Sequence, residues 1–424
     1  MAEPNPEAWV CTAAEVGPLR VSAHGRYLVD QGGRPFFWLG DTQWQLFRSF
    51  TLDEAEIILE NRRRKGFSVL QIMVTGTGDG TVANLAGQTP WRNNDPATPN
   101  EAYFQNVDAI IELAREKGLV LALYLAHGVQ KERVHLGNAR TYARWVARRY
   151  QKAPNILWVF VTDNPLDEQL PLIRELAAGV QEGDGVGMYC IPHSHLISYH
   201  PDPVHPALSS GEIHTESWLA FNMIQTWAYY EGIYGVVTRD YHRKPAKPVV
   251  MAEGAYEAGA EYGYPISPLL VRKQAYWSYL AGGHHSYGHN DSWRVLPTWK
   301  AALDAPGACQ MAVLRNIFTA RAWWDLAPDQ GVFASQAIPG TTLNTAARSL
   351  SGDWAIAYLS SPTTVSVAMD KITASNTVVA SWIDPLTGAQ TRIGSFPNVG
   401  VRSFSTPYRW EDALLLLEKA GTGG

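Results

Sequence analysis

The chain has 424 residues, 46% of them apolar and 18% charged, with a formal net charge of −5. These proportions describe a folded protein with a sizeable core and exclude a disordered one, and the negative balance argues against a nucleic-acid partner. Three widely spaced cysteines (Cys11, Cys190, Cys309) signal neither a disulfide framework nor a zinc site, and no apolar stretch is long enough to span a bilayer.

From the N-terminus, residues 1–35 read as an extension. Its start, Met1-Ala-Glu-Pro-Asn-Pro6, has no basic or apolar leader region, so the expected location is cytoplasmic, or that of a leader-trimmed secreted form. A first strand is expected at 36–41, ending on Asp41, Thr42 and Trp44. Thr51-Leu-Asp-Glu54 forms a capping box that opens a helix running to Lys65. Strand two, 69–74, has Gln71 as its polar interior position. A Gly/Asn/Pro-rich loop over 75–100 is long enough to be functional and should overhang one end of the fold. A helix over 101–117 leads to strand three, 119–125, near His127. Asn138 is placed to cap the next helix. Strand four, 156–161, runs into Thr162-Asp163-Asn164-Pro165, where the proline ends regular structure. Strands five to eight are expected at 196–201, 221–225, 247–253 and 284–289, with helices near 168–182, 228–239 and 266–281 between them.

Eight strand–helix repeats in alternation predict an α/β fold, a (β/α)8 barrel over 36–318. An open doubly wound sheet is the alternative, disfavoured because no Gly-rich phosphate turn follows the first strand. From about 325 helical periodicity fades. Short β-rich runs at 354–358, 364–368, 378–382 and 413–417 predict a C-terminal antiparallel β-sandwich over 325–420.

In such a barrel, chemistry sits at the C-terminal strand ends. The polar residues expected there are Asp41, Gln71, His127, Asp163, His200, Gln225, Glu253 and His285. Asp163 and Glu253 are carboxylates on strands four and seven, facing one mouth. Glycoside hydrolysis needs such a pair, one to protonate the leaving oxygen and one to attack or to direct water. The bland alternatives are a structural ion pair for Glu253 and a turn-capping role for Asp163. Asp41, His200 and Gln225 could equally be satisfied internal polar groups or grip sugar hydroxyls. His285 and His289 lie beside Tyr287 and Trp293, but acid and His ligands do not recur at metal-binding spacing, so no metal and no cofactor is expected. His193 and His195 fall in what reads as an inserted loop. Sixteen tryptophans offer faces for sugar rings, although large cores use them too. Trp44, Trp91, Trp227 and Trp293 are the candidate subsite walls.

The stretches Trp38-Leu-Gly-Asp-Thr-Gln-Trp44, Glu60-Asn-Arg-Arg-Arg-Lys-Gly66, Asn93-Asn-Asp-Pro96, Pro99-Asn-Glu-Ala-Tyr-Phe104, Tyr199-His-Pro201, Phe221-Asn-Met-Ile-Gln225, Ala252-Glu-Gly-Ala-Tyr-Glu257 and Ala275-Tyr-Trp277 resemble the apiosidase-like glycoside hydrolases, glycoside hydrolase family 140. The likeness runs over roughly 20–420 and includes a C-terminal β domain often labelled collagen-binding-like. In plan it is similar to clan A retaining barrels. The resemblance implies that Asp163 is the acid/base and Glu253 the nucleophile. Two departures touch the mouth: Val161-Thr162-Asp163 where Gly-Gly-Asp is usual, and Thr226-Trp227-Ala228 where Ser-Gly-His is common.

The expectation is a retaining exo-glycosidase releasing a terminal pentofuranose, with a β-apiosidase acting on plant glycans or glycosides first. Other furanosidases or pectin side-chain hydrolases are the alternatives within that chemistry. Its partner would be a carbohydrate or glycoside, with no nucleic acid and no membrane. Asp41, Trp44, Gln71, His127, His200, Gln225, Trp227, Tyr256, Glu257, His285 and Trp293 are the expected substrate-binding residues, with Tyr256 placed to orient Glu253. A metal-dependent amide or ester hydrolase would normally carry H-x-H where this chain has Gly40-Asp41-Thr42. A non-catalytic carbohydrate-binding module is the third reading.

Overall fold

The structure is a computed structural model that describes residues 17–126, 130, 132–161, 166–185, 195–201, 208–335 and 340–421. Eight parallel strands form the central sheet: β1 (Leu39–Thr42), β2 (Val69–Met73), β3 (Val120–Tyr124), β4 (Ile156–Val161), β5 (Ile197–His200), β6 (Asn222–Gln225), β7 (Val249–Glu253) and β8 (His284–Tyr287). Their order, β5-β4-β3-β2-β1-β8-β7-β6, is sequential around a cylinder. The seam between β5 and β6 is drawn together by Ala220 N–H donating to the Ile197 carbonyl (2.8 Å) and Ser198 Oγ to the Phe221 carbonyl (2.7 Å). This is the (β/α)8 barrel that the alternation predicts.

The strands read as apolar runs because both faces are buried. Val69, Val120, Ala122, Leu157, Val159, Met223, Val250 and Ala252 fill the interior. Leu39, Ile224, Val249, Met251 and Tyr287 face the helix layer. At Gly40 the interior has no room for a side chain: a Cβ would lie 2.2 Å from Ser286 Oγ and 2.9 Å from Trp38 Nε1.

Among the described residues β5 is followed by a 3-10 turn over Ser210–Ile213, and the other seven strands by α-helical returns. The main ones are α1 (Leu52–Arg64), α2 (Glu101–Glu116), α3 (Ala139–Tyr150), α4 (Leu166–Gly183), α5 (Ile233–Tyr241), α6 (Pro268–Leu280) and α7 (Pro306–Thr319). The capping box at α1 forms as expected: Glu54 N–H donates to Thr51 Oγ1 (3.2 Å) and Thr51 N–H to Glu54 Oε2 (3.0 Å), a device worth about 1 kcal/mol. At α3, Asn138 occupies the N-cap without capping. Its Oδ1 accepts from His135 N–H (3.0 Å), so the side chain ties the preceding loop instead.

The C-terminal part is antiparallel. A six-stranded sheet is built from β9 (Leu326–Pro328), β10 (Thr345–Ser349), β11 (Trp354–Leu359), β13 (Thr377–Ile383), β14 (Gln390–Pro397) and β16 (Ala413–Lys419). A two-stranded ribbon, β12 (Thr364–Ala368) with β15 (Val401–Ser405), covers one face. Strand alternation divides the sheet. Ala355, Ala357, Leu415 and Leu417 pack toward the ribbon, while Ile356, Tyr358, Leu414 and Leu416 join the core of α6 and α7. That second face bonds the two parts firmly. Arg272 of α6 grips Asp412 in a bidentate pair (2.7 and 2.9 Å), Tyr358 OH donates to the same carboxylate (2.6 Å), and the Tyr276 and Tyr358 rings stack at 4.6 Å.

Candidate active site

β7 supplies the central residue through an irregularity. Its even-numbered residues point into the barrel and its odd-numbered ones outward, so strict alternation would send Glu253 into the helix layer. The pairing with β6 slips at this point: Met251 is opposite Ile224, yet Glu253 is opposite Gln225. The extra residue is a β-bulge, a device that re-aims a side chain. Glu253 and Gln225 both end up lining a cavity of 490 Å³ at the C-terminal end of the strands.

The cavity wall is built from several strand ends and the loops after them. Trp44 follows β1, Met73, Thr77 and Gly78 come from β2 and its loop, Val161 from β4 and His200 from β5. Trp227 follows β6, Tyr256, Glu261 and Tyr262 follow β7, and Trp293 and Arg294 follow β8. His200 Nε2 lies 3.6 Å from Glu253 Oε2. Edge contacts from Trp44 (6.2 Å) and Tyr124 (5.5 Å) hold the imidazole in place. Trp44 Nε1–H donates to Tyr256 OH (3.2 Å). Burial pushes the phenols of Tyr124, Tyr256 and Tyr262 well above their usual range, and the Glu253 carboxylate adds to the shift of each. Near neutrality these three groups stay protonated, offering hydrogen bonds without charge.

Of the residues expected to bind substrate, Trp44, His200, Gln225, Trp227, Tyr256 and Trp293 meet in this cavity with Glu253. Asp163 and His127 lie outside the described residues, as does His193. Four expected positions are elsewhere. Asp41 shares the outward parity of Leu39 and is fully buried, its Oδ2 accepting from Arg62 Nε (2.8 Å) and Gln43 Nε2 (2.7 Å). It is a structural ion pair on the wrong face of β1. Gln71 does point into the barrel, but one layer beneath Met73. Its amide is spent on Thr42 Oγ1, the Ala252 carbonyl and Ser286 Oγ. Glu257 accepts from Tyr287 OH (2.5 Å) and from Gly307 N–H (3.0 Å) at the start of α7, where the exposed amides of a helix N-terminus favour an anion. His285 faces α6, with Nδ1 3.3 Å from Ser278 Oγ. Trp91 is also a core residue, packed edge-on to Tyr142 at 5.6 Å. Outside the mouth, His195 Nδ1 lies 3.0 Å from Asp184 Oδ1 in a buried pair.

Met73, Thr77, Gly78, Glu261, Tyr262 and Arg294 also line the cavity, beyond the residues expected from the sequence. Thr77 and Gly78 open the loop expected to overhang the mouth. Tyr262 lies in the loop that Glu253 begins, and Arg294 adjoins Trp293, so position relative to strand ends was the available signal.

Two measurements test the corrected placements. Arg62→Ala should destabilise the fold by roughly 3–5 kcal/mol in chemical denaturation, because it strands a buried carboxylate. Loss of under 1 kcal/mol would show that Asp41 is not held as described. Burial also depresses His284 to about 4 and His285 to about 3, from 6.5. Both are therefore neutral when folded, while the unfolded chain takes up protons below pH 6.5. Stability should fall as pH drops from 6.5 toward 4, since the unfolded state binds more protons there. His285→Gln should flatten that part of the pH–stability curve.

A (β/α)8 barrel here presents a carboxylate at its C-terminal mouth, the end at which barrel enzymes carry their chemistry. A family model described as "Apiosidase-like, catalytic domain" matches residues 22–325, and one labelled after a collagen-binding domain of a collagenase matches 327–418. The chain belongs to the apiosidase-like family and is a glycoside hydrolase. A solved structure titled "Glycoside hydrolase" is similar at 28% identity and TM-score 0.86, covering 95% of this chain and 97% of that one. A glycoside hydrolase family 5 structure from Bacteroides vulgatus ATCC 8482 is similar at 25% identity and TM-score 0.85, covering 95% and 94%. No match was found among curated proteins.

Proposed function

We propose that this enzyme is a retaining exo-glycosidase that releases a terminal pentofuranose, with β-linked apiose as its preferred sugar. The observation that carries the reading is Glu253, turned by the bulge in β7 into a sugar-sized cavity and set against His200. The family match supports the choice of sugar. In the first step a Glu253 oxygen attacks the anomeric carbon. The bond from that carbon to the leaving oxygen breaks, and the proton of Asp163 passes to the departing oxygen. In the second step a water oxygen attacks the anomeric carbon, Asp163 takes the water proton, and Glu253 leaves as a carboxylate.

This mechanism needs Asp163 and Glu253 about 5–5.5 Å apart, against roughly 6.5–9.5 Å for inversion. Asp163 follows two residues after Val161, which lines the cavity from the end of β4. His200 at 3.6 Å is placed to hold the Glu253 carboxylate toward the sugar. A panel of aryl β-apiofuranoside, α-arabinofuranoside and pyranosides tests the substrate. Fastest turnover is expected on the apioside, with product of retained configuration seen by NMR at early times. Preference for another furanoside would move the substrate while keeping the chemistry, and inverted product would refute the double displacement.

A further inference from the structure

Two loops beside the mouth carry exposed aromatic side chains. Among the described residues five aromatic side chains are exposed, and three of them, Trp227 (39%), Tyr229 (58%) and Tyr264 (47%), stand on the loops after β6 and β7. These loops are adjacent. The Trp227 ring lies 5.3 Å from that of Tyr262, and the hydroxyls of Tyr230 and Tyr264 are hydrogen-bonded across the gap. Exposed rings scattered singly need no explanation, but clustering at the rim of a binding cavity does.

The loops are also braced. Thr226 N–H donates to the carbonyl of Glu253 (2.9 Å), and Tyr229 N–H to that of Thr226 (2.8 Å). Ala258 N–H and the Ile266 carbonyl (3.0 Å) close the second loop, and Tyr256 N–H donates to Tyr262 OH (3.1 Å) inside it. Trp227 itself sits at φ 47°. The left-handed region is unfavourable for so bulky a residue, and such strain persists only where the surroundings impose it. The indole stands partly exposed at the lip of the cavity.

We propose that Trp227, Tyr229, Tyr230 and Tyr264 form an aromatic shelf that binds a second sugar ring, the one on the leaving-group side of the cleaved bond. The inference rests on the cavity being the pocket for the terminal sugar. The shelf is continuous with that cavity through Trp227 and Tyr262, so a ring linked to the bound sugar emerges over it. Aromatic faces match the C–H faces of a sugar ring, and it is the rings that the shelf contributes.

The test compares two substrates, methyl β-apiofuranoside and a pectic oligosaccharide carrying β-apiosyl branches, with the whole enzyme and its Tyr229→Ala/Tyr264→Ala variant. The ratio of kcat/KM for oligosaccharide over methyl glycoside should fall roughly tenfold or more in the variant, mostly through KM. Tyr264→Phe, which keeps the ring, should hold the ratio within about threefold of wild type. An unchanged ratio in the double variant, or an equal loss in Tyr264→Phe, would overturn the shelf while leaving the glycosidase reading intact. A wild-type enzyme inert on both substrates overturns that reading and the shelf with it.

Discussion

Glu253→Gln should cost roughly 10⁴-fold or more in kcat on an aryl β-apiofuranoside, with the melting temperature almost unmoved. The substitution keeps the shape of the side chain, so the bulge in β7 and the 490 Å³ cavity stay as they are. What it removes is the nucleophilicity of a carboxylate, since the amide oxygen that remains attacks the anomeric carbon poorly, in a side chain that still lies beside His200. The loss should therefore fall on kcat, with KM little changed, because the groups that line the cavity remain, Trp44, Gln225 and Trp293 among them. A variant within about tenfold of wild type would remove Glu253 from the nucleophile's role.

Asp163→Asn should cost roughly 10²–10⁴-fold, and its signature lies in how the loss varies. A sugar leaving group departs as a poor alkoxide unless protonated, so the natural linkage should suffer most. A nitrophenolate leaves unaided, so the first step should be spared and the second, which needs a base for water, should become limiting. Azide needs no base. Added azide should then restore turnover of the nitrophenyl substrate and yield a glycosyl azide of retained configuration. If the variant slows all substrates equally and azide restores nothing, Asp163 is not the acid/base.

The barrel was legible because its signal is local and repeated. The run predicted at 247–253 is β7 from Val249 to Glu253, and the expected helix at 266–281 is α6, Pro268–Leu280. The first strand starts later than expected, at Leu39. Pro35 and Phe36 instead pair with Leu28 and Val29 around the Asp30–Gly33 turn. In the C-terminal part, β11, β12, β13 and β16 announce themselves as apolar runs. β14 (Gln390–Pro397) and β10 (Thr345–Ser349) do not. One is largely exposed and the other sets small residues around Arg348, so neither carries an apolar alternation.

The mouth was legible only as a set of strand ends. Which end faces the cavity depends on parity and register, and those are properties of pairs of strands. Asp41 and Glu253 show both sides of this. Asp41 stands one residue before the end of β1, but its parity turns it to Arg62 on α1. Glu253 would share that outward fate without the bulge against β6, which no feature of β7 alone discloses. Glu257 and Tyr256, adjacent in the chain, part for a similar reason: one anchors the loop to α7 and the other lines the cavity.

The most direct measurement is mass spectrometry of the enzyme after reaction with an activated 2-fluoro-furanoside, which forms the glycosyl-enzyme faster than water can clear it. The account predicts one added sugar, carried on the peptide containing Glu253 as an ester at that residue. A label on any other carboxylate, or no covalent label while the compound is being turned over, would contradict it.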